Sequence, residues 1–242
     1  MSDSVKPYKE SQLSKKEQVT QMFDTISNEY DGLNRVISLG IDQKWRRRVI
    51  EIVQKSGAKK VLDIATGTGD LAIMLAENTT AQITGLDLSA GMLEIGKKKV
   101  TAKNLNNRIE MLLGDSERIP FDDNTFDAVT VAFGVRNFEN LEQGLSEILR
   151  VLKPAGTFLI LETSVPTKFP FKQGYNFHCK VVLPLIGKIF SRDNSAYSYL
   201  SESAAHFPYG ERMNAILRKV GFQNVKDFPQ TFGVATIYHS TK

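Results

Sequence analysis

The chain of 242 residues is long enough for one large α/β domain with additions, and such a domain buries a substantial core. Hydrophobic residues make up 41% and charged residues 24%, as in ordinary folded proteins, and the formal charge of +4 is too small and too dispersed to predict nucleic-acid binding. The single cysteine, Cys179, excludes an intramolecular disulfide framework, and no Cys or His residues have the spacing of metal ligands.

The N-terminal residues lack the apolar core of a signal peptide. No apolar run reaches the roughly eighteen residues that a membrane-spanning helix needs. We therefore expect a cytoplasmic protein. Two short basic groups, at residues 46–48 and 97–99, are typical of solvated helix faces, and the alternative is a weak attraction to an anionic membrane surface.

Residues 15–55 have apolar side chains at helical spacing, with a predicted break around Asp31 and Gly32. Because these helices precede the first predicted strand, they are free to fold over a site as a lid. We therefore predict a helical extension at residues 1–43 and the main α/β domain at residues 44–242.

The next segment predicts a buried strand, a tight turn with Gly67 and Gly69, and then a helix. Glycine adopts backbone angles that are closed to other residues and lets a ligand approach the main chain. The pattern is loose, since NAD sites also satisfy it and a plain connecting turn explains it as well. Asp87, at the end of the following apolar run, strengthens the case, because a carboxylate there can accept hydrogen bonds from both hydroxyls of a ribose. The alternative role for Asp87 is to cap the next helix, which Ser89 can also do.

Further apolar runs, at residues 109–113, 126–133 and 157–162, alternate with helical patterns and predict a parallel sheet covered on both faces. Two closing strands follow, at 225–228 and 235–239. Residues 163–206 interrupt the alternation, and their many aromatic and aliphatic residues predict an insertion with two helical pieces. This insertion is either a helical pair packed on the core or the wall of an apolar substrate pocket that opens towards a membrane.

A set of residues at the predicted strand ends resembles the class I methyltransferases that use S-adenosylmethionine: Asp63, Gly67 to Gly69, Asp87, Asp115 with Ser116, and Lys153 to Gly156. The resemblance implies a Rossmann-like α/β fold with a seven-stranded sheet whose last strand is antiparallel. The N-terminal helices and the helical insertion between strands 5 and 6 would be additions to that sheet. It also implies S-adenosylmethionine as the methyl donor and no metal.

A narrower likeness covers nearly the whole chain. It is carried by Tyr30 to Asn34, Ile119 to Phe121, Asn124 to Asp127, Phe133 to Asn137 and Tyr197 to Ser203. These segments resemble the quinone-biosynthesis C-methyltransferases, which methylate demethylmenaquinol or, in a related branch, a ubiquinol precursor. The overall likeness favours the menaquinone branch and a prenylated quinol as substrate. Such a substrate implies a peripheral membrane contact, through the apolar insertion and the basic N-terminal helices, and the oligomeric state, including a homo-oligomer, stays open.

The resemblance implies five cofactor-binding residues: Gly67, Thr68, Asp87, Asp115 and Ser116. The glycine turn with Thr68 would contact the methionyl end, Asp87 the ribose, and Asp115 with Ser116 the adenine. Some relatives place a serine in the fourth strand where this chain has Ala132, so that contact is not predicted here.

Arg136 and Asn137 follow the fourth strand, and we hypothesise that they face the reacting ring, because ligands bind at the carboxyl edge of such sheets. The alternative is that these two residues cap the next helix or pair with Glu139. No catalytic base is assigned. The candidates are His178, His206, Tyr30, Tyr199, Asp31 and water.

Three competing functions remain at this stage. The first is a methyltransferase for another small molecule. The second is an NAD-dependent oxidoreductase, since NAD sites satisfy the same loose glycine pattern. The third is a nucleotide-binding module without activity, which the full set of strand-end carboxylates disfavours.

Overall fold

A computed structural model describes residues 5–38, 40–177 and 194–242. Its strands form one seven-stranded sheet in the order β3-β2-β1-β4-β5-β7-β6. The strands are β1 Lys60–Ile64, β2 Gln82–Asp87, β3 Ile109–Leu113, β4 Phe126–Ala132, β5 Leu152–Thr163, β6 Gln223–Gln230 and β7 Ala235–Thr241. The first five strands pair in parallel, whereas β7 runs antiparallel to both β5 and β6. The predicted fold, including its antiparallel last strand, is confirmed.

Helices cover both faces of this sheet. They are α1 Lys15–Ile26, α2 Tyr30–Ser38, α3 Asp42–Ser56, α4 Asp70–Asn78, α5 Ala90–Ala102, α6 Leu141–Val151, α7 Phe171–Phe177, α8 Asn194–His206 and α9 Glu211–Val220. Successive residues of a strand point to opposite faces, so Val61 packs with α3, α4 and α5, while Leu62 and Ile64 pack with α6 and α9. Two apolar cores thus hold the sheet between two helical layers.

The N-terminal helices break at a different place than predicted. The first break lies at residues 27–29, between α1 and α2, and Asp31 and Gly32 lie in the first turn of α2. An acidic residue is favourable in that turn because it faces the positive end of the helix dipole. Gly32 is exposed and costs the helix only about 1 kcal/mol relative to alanine. The prediction failed because these residue types also favour turns.

The insertion between β5 and β6 contains α7 and α8. Residues 178–193, with His178 and Cys179, lie outside the described residues. Within the described ranges no helix is long and apolar enough to cross a membrane. In the same ranges no group of His, Cys, Asp and Glu residues is placed to hold a metal ion.

Candidate active site

The turn after β1 is held by a buried acid, Asp63. Its Oδ2 accepts a hydrogen bond from Thr66 Oγ1 at 2.6 Å, and its Oδ1 accepts one from Thr130 Oγ1 on β4 at 2.7 Å. Burial raises the pKa of the Asp63 carboxyl to about 6, although both hydroxyls oppose the shift. Gly67 and Gly69 then take positive φ angles of 57° and 78°, which L side chains rarely adopt. Asp63 thus fixes the start of the turn, and the two glycines bend it into α4.

Asp87 lies at the carboxyl end of β2, directly beside this turn. Its Oδ2 accepts the Gly67 N–H at 2.7 Å and its Oδ1 accepts the Ser89 N–H at 2.9 Å. Burial raises the pKa of the Asp87 carboxyl, and these backbone donors oppose that rise. The Ser89 side chain, not Asp87, caps α5 by accepting the Met92 N–H. A carboxylate has about four acceptor sites, so each Asp87 oxygen can accept another hydroxyl.

A cavity with about 720 Å³ of empty space, including its opening, adjoins the turn. We call it the glycine-turn cavity. Three predicted residues, Gly67, Asp87 and Ser116, line it, as does Ala132 at the end of β4. Its walls are otherwise largely apolar. A partly buried acid beside a glycine backbone and an apolar wall fits the ribose, the main-chain contacts and the adenine of S-adenosylmethionine.

Two predicted cofactor residues have side chains that are already bound within the protein. The Thr68 hydroxyl donates to Asp31 Oδ1 at 2.6 Å and accepts from Lys99 Nζ at 3.1 Å. Asp115 pairs through Oδ2 with Lys16 Nζ at 2.6 Å. Neither Thr68 nor Asp115 lines the cavity, whereas their neighbours Gly67 and Ser116 do. Asp115 is instead paired with the N-terminal extension.

The N-terminal extension takes part in the site in ways that the sequence did not reveal. On α1, Lys16, Thr20 and Phe23 line the glycine-turn cavity. The buried Lys15 Nζ donates to the backbone oxygens of Arg136 at 3.0 Å and Phe138 at 2.7 Å. Burial lowers the pKa of this amine. The sequence predicted that these helices are free to fold over a site, but the helical spacing of α1 does not specify which of its residues face the cavity.

A second cavity, larger and mostly apolar, adjoins the first. We call it the apolar cavity, and it has about 1730 Å³ of empty space including its opening. Tyr30 and Phe133 line both cavities and so form the wall between them. The insertion contributes Phe171 and Leu200, among others, to the apolar cavity. Of the two interpretations of the insertion, the structure favours the pocket wall.

Arg136 and Asn137 lie at the boundary between the two cavities. Arg136 lines the apolar cavity, whereas Asn137 lines the glycine-turn cavity. Arg136 Nη1 forms a buried ion pair with Glu162 Oε1 at 2.5 Å, and Asn137 Oδ1 accepts from the Tyr199 hydroxyl at 3.1 Å. Arg136 pairs with Glu162 and not with Glu139, and Asn140 caps α6. The alternative roles of Arg136 and Asn137, capping that helix or pairing with Glu139, are therefore wrong.

This ion pair is not fully hydrogen-bonded by the described residues. Among them, neither Arg136 Nε nor Glu162 Oε2 has a hydrogen-bond partner, although both atoms are buried. An unpaired buried donor is costly, so Arg136 Nε is a hydrogen-bond donor available to a water or to a ligand in the apolar cavity. The sequence alone does not single out Glu162, because it looks like the last residue of a buried strand.

The candidate catalytic bases do not lie together in one place in the structure. Tyr30 lies in the wall between the cavities, and burial raises the pKa of its phenol. Burial likewise raises the pKa of Tyr199 to about 12. Asp31 is occupied by Thr68 and Lys99, and His206 Nδ1 lies 2.8 Å from the backbone oxygen of Glu202. His178 lies outside the described residues.

Solved structures share this architecture at low sequence identity. A SAM-dependent methyltransferase from Aquifex aeolicus matches with a TM-score of 0.56 and 19% identity, covering 79% of this chain and 87% of that one. The (4+2)-cyclase SpnF matches with a TM-score of 0.66 and 18% identity, covering 94% of this chain and 96% of that one. These likenesses establish the fold alone, because one fold hosts different reactions.

Relatives with similar sequences extend over nearly the whole chain. A protein from Bacteroides fragilis named demethylmenaquinone methyltransferase is 46% identical over 241 residues, which cover 99% of this chain and 98% of that protein. A protein of the same name from Porphyromonas gingivalis is 43% identical over 242 residues, with the same coverage. A protein from Geotalea daltonii, named ubiquinone/menaquinone biosynthesis C-methyltransferase UbiE, is 45% identical over 94% of this chain and 97% of that protein.

The family comparison covers the segments that build the fold and the candidate site. A model of the ubiE/COQ5 methyltransferase family matches residues 11–242, which include the glycine turn, Asp87 and both residues after β4. Fold and family together support S-adenosylmethionine as the methyl donor. The chain belongs to the ubiE/COQ5 methyltransferase family.

Proposed function

We propose that this protein transfers a methyl group from S-adenosylmethionine to a ring carbon of demethylmenaquinol, a prenylated quinol, and so forms menaquinol. The observation that carries the proposal is the pair of cavities with a common wall, one built for a nucleoside and the other apolar with a buried arginine. The relatives named demethylmenaquinone methyltransferase, at 43% and 46% identity over nearly full length, support this choice of acceptor.

The glycine-turn cavity would hold the methyl donor. Asp87 would accept the ribose hydroxyls with its remaining lone pairs, and the backbone at Gly67 and Thr68 would contact the methionyl end. Ser116, with Asp115 behind it, would lie at the adenine. When bound there, S-adenosylmethionine supplies a methyl group that is already activated by the attached sulfonium.

Arg136 would prepare the acceptor. A quinol carbon becomes nucleophilic when a neighbouring ring hydroxyl loses its proton, and a phenol of this kind has a pKa of about 10 in water. A buried cation beside the oxygen lowers that pKa because it stabilises the anion. The unpaired Nε of Arg136 is a donor available to this oxygen.

Glu162 would hold the Arg136 guanidinium in place through the ion pair at Nη1. The phenol of Tyr199, with its pKa raised to about 12, stays protonated near neutral pH and donates to Asn137. Tyr199 is therefore assigned to positioning Asn137 rather than to accepting the substrate proton. Phe133 and Trp45, which line the apolar cavity, would exclude water from the reacting carbon.

A second acceptor is favoured by one specific observation. The relative from Geotalea daltonii is named for both ubiquinone and menaquinone biosynthesis at 45% identity. A benzoquinol presents the same ring hydroxyl to Arg136 and carries a similar apolar tail. The alternative function is therefore methylation of a ubiquinol precursor by the same residues.

The proposal is tested by the quinones of a strain that lacks this chain. We expect demethylmenaquinone to accumulate, and the wild-type gene to restore menaquinone, whereas a gene encoding Asp87→Asn should restore it poorly. A strain that keeps its normal menaquinone content without the chain would contradict the proposal. With purified protein, stabilisation by S-adenosylhomocysteine but not by NAD would exclude the oxidoreductase alternative.

A further inference from the structure

The mouth of the apolar cavity carries large apolar side chains in solvent. Phe171 and Phe232 line the cavity, are 37% and 68% exposed, and stack with ring centroids 3.7 Å apart. Phe169, which is 80% exposed, precedes Pro170 of the cavity wall. Ile41, the residue before α3, lines the cavity and is also exposed. We call Ile41, Phe169, Phe171 and Phe232 the apolar rim.

The backbone that presents Phe232 is strained. Thr231, Phe232 and Gly233 have successive φ angles of 42°, 58° and 93°, and the first two are conformations that bulky L residues rarely adopt. Trp45 Nε1 anchors this loop by donating to Thr231 Oγ1 at 2.8 Å. Strained backbone of this kind costs conformational energy and clusters at functional sites, which supports a function for the exposed Phe232 side chain.

Cations accompany the apolar rim. Lys168 and Lys172 are exposed and lie next to Phe169 and Phe171 in the chain, and there is no aspartate or glutamate from Thr163 to Phe177. On α3, the exposed Lys44 lies one helical turn after Ile41 and therefore on the same face. The rim is thus an apolar patch bordered by positive charge.

From these features we propose that the apolar rim docks on an anionic lipid bilayer, with the cavity mouth turned towards the acyl chains and Lys44, Lys168 and Lys172 at the phosphates. The proposal rests on the proposed function, since a prenylated acceptor has to leave the bilayer to reach Tyr30 and Arg136. Docking at the cavity mouth would let the tail remain in lipid while the ring enters the protein.

A second copy of the chain is a poorer occupant of this surface. A symmetric contact would bring the same three lysines against one another, and like charges in an interface cost affinity. Any protein that covered the rim would also close the mouth of the cavity. A bilayer meets both conditions, because it supplies negative charge and leaves the mouth continuous with an apolar phase.

Sedimentation with vesicles of phosphatidylcholine and phosphatidylglycerol in equal parts tests the proposal. The double variant Phe169→Ser/Phe232→Ser should bind these vesicles at least about tenfold more weakly than the wild type, because two phenyl rings no longer enter the lipid. The matched control is Leu113→Ser. Leu113 is 63% exposed on β3, at the opposite edge of the sheet, so its variant should bind as the wild type does.

The charges are tested in the same assay. Each of Lys168→Gln and Lys172→Gln should weaken binding to the anionic vesicles about fivefold and leave binding to pure phosphatidylcholine vesicles nearly unchanged. The matched controls Lys97→Gln and Lys98→Gln each remove one exposed lysine from α5 and should have little effect. Equal loss of binding in the Lys168 and Lys172 variants and in these controls would overturn the assignment of the surface.

Two further measurements separate this inference from the proposed function. The single variant Phe169→Ser, whose residue does not line the apolar cavity, should methylate a naphthoquinol without a tail, in solution, at the wild-type rate, which also shows that it is folded. If the rim double variant binds vesicles as strongly as the wild type, the docking proposal is wrong. It is also wrong if the wild type does not bind vesicles but forms a dimer that the rim double variant does not form. A wild type that methylates no quinol at all but still binds vesicles through the rim would overturn the proposed function instead.

Discussion

The two cavities are built by different parts of the chain. The glycine-turn cavity takes most of its polar groups from the ends of β1, β2 and β3 and from the loop after β4, so the register of one sheet sets their positions, and Lys16 and Thr20 of α1 complete it. The apolar cavity is assembled from α2, α3, the insertion and the loop after β6. The first therefore depends mainly on the sheet that folds the domain, whereas much of the second comes from α2 and the insertion, which are additions to that sheet.

The largest effect should come from Arg136, which lies on the acceptor side of the boundary. In Arg136→Met we expect kcat to fall about 100- to 1000-fold, because the oxygen of the acceptor loses its buried cation. The affinity for S-adenosylhomocysteine should stay within about twofold, since Asp87 and the glycine turn are untouched. Steady-state kinetics and calorimetric titration measure the two quantities.

A matched pair of variants separates this effect from misfolding. Arg136→Met leaves Glu162 buried without its partner and should reduce the free energy of unfolding by about 3 kcal/mol or more. The double variant Arg136→Met/Glu162→Gln removes both charges and should regain most of that stability without regaining turnover. Recovery of turnover in the double variant would show that Arg136 is only structural.

On the donor side, Asp87→Asn should weaken the binding of S-adenosylhomocysteine about 100-fold. The variant loses charge-assisted hydrogen bonds to the ribose, each worth about 1.5–3 kcal/mol, although its side chain keeps nearly the same shape. Calorimetric titration measures the change. The control is Asp123→Asn, which changes an exposed acid just before β4. Asp123 therefore lies at the amino ends of the parallel strands, away from the carboxyl ends where Asp87 lies. Equal affinity in both variants would contradict the assignment of Asp87.

The sequence was sufficient for the parts that depend on the sheet. Asp87 could be placed because the carboxyl ends of parallel strands meet at one edge, and Gly67 because the turn needs a positive φ angle there. Ser89 was likewise expected to be able to cap α5, and it does. In each case the determinant is a contact between neighbouring strands or within one turn.

The sequence was insufficient where the determinants are distant in the chain. The ion pair of Arg136 joins two residues on different elements, and Glu162 looks like any strand residue until β4 and β5 are paired. Lys15 binds carbonyl groups more than 120 residues away. The exposed position of Phe232 follows from a strained loop that no propensity predicts. Such contacts follow from tertiary packing, which periodicity alone does not encode.

Asp63, the acid that holds the start of the glycine turn, predicts a pH dependence of stability. Its pKa is about 6 in the folded protein and 3.8 when unshifted, so the folded form binds the proton more tightly. Its contribution to stability is therefore present at low pH and is lost as the pH rises from about 4 to about 6. The shift of about two units corresponds to a loss on the order of 2–3 kcal/mol.

In Asp63→Asn this pH-dependent loss should disappear, because the amide does not titrate. Urea unfolding of both proteins at several pH values, with the difference taken at each pH, isolates this residue from the other carboxylates. The free energy of unfolding of the wild type relative to the variant should decrease as the pH rises through that interval. A difference that does not vary with pH would mean that Asp63 has an ordinary pKa.

The smallest effect concerns Asp31, which joins α2 to the glycine turn and so connects the additions to the sheet. Its carboxylate accepts from Thr68 Oγ1 at 2.6 Å and from Lys99 Nζ at 2.8 Å, and the Asp31 and Lys99 side chains are 30% and 27% exposed. We expect Asp31→Asn to lower the free energy of unfolding by about 1 kcal/mol, because a partly buried pair is less screened than a surface pair.

The matched control for Asp31 is Glu94→Gln on α5, whose pair with Lys98 leaves both side chains at least 70% exposed. That variant should leave the free energy of unfolding nearly unchanged, because water and salt screen an exposed pair. Asp31→Asn should also weaken S-adenosylhomocysteine binding a few fold, since Thr68 and the backbone beside it lose their support from α2. If Asp31→Asn and Glu94→Gln have the same free energy of unfolding and the same affinity for S-adenosylhomocysteine, then α2 contacts the glycine turn without stabilising it. The donor site then does not depend on α2.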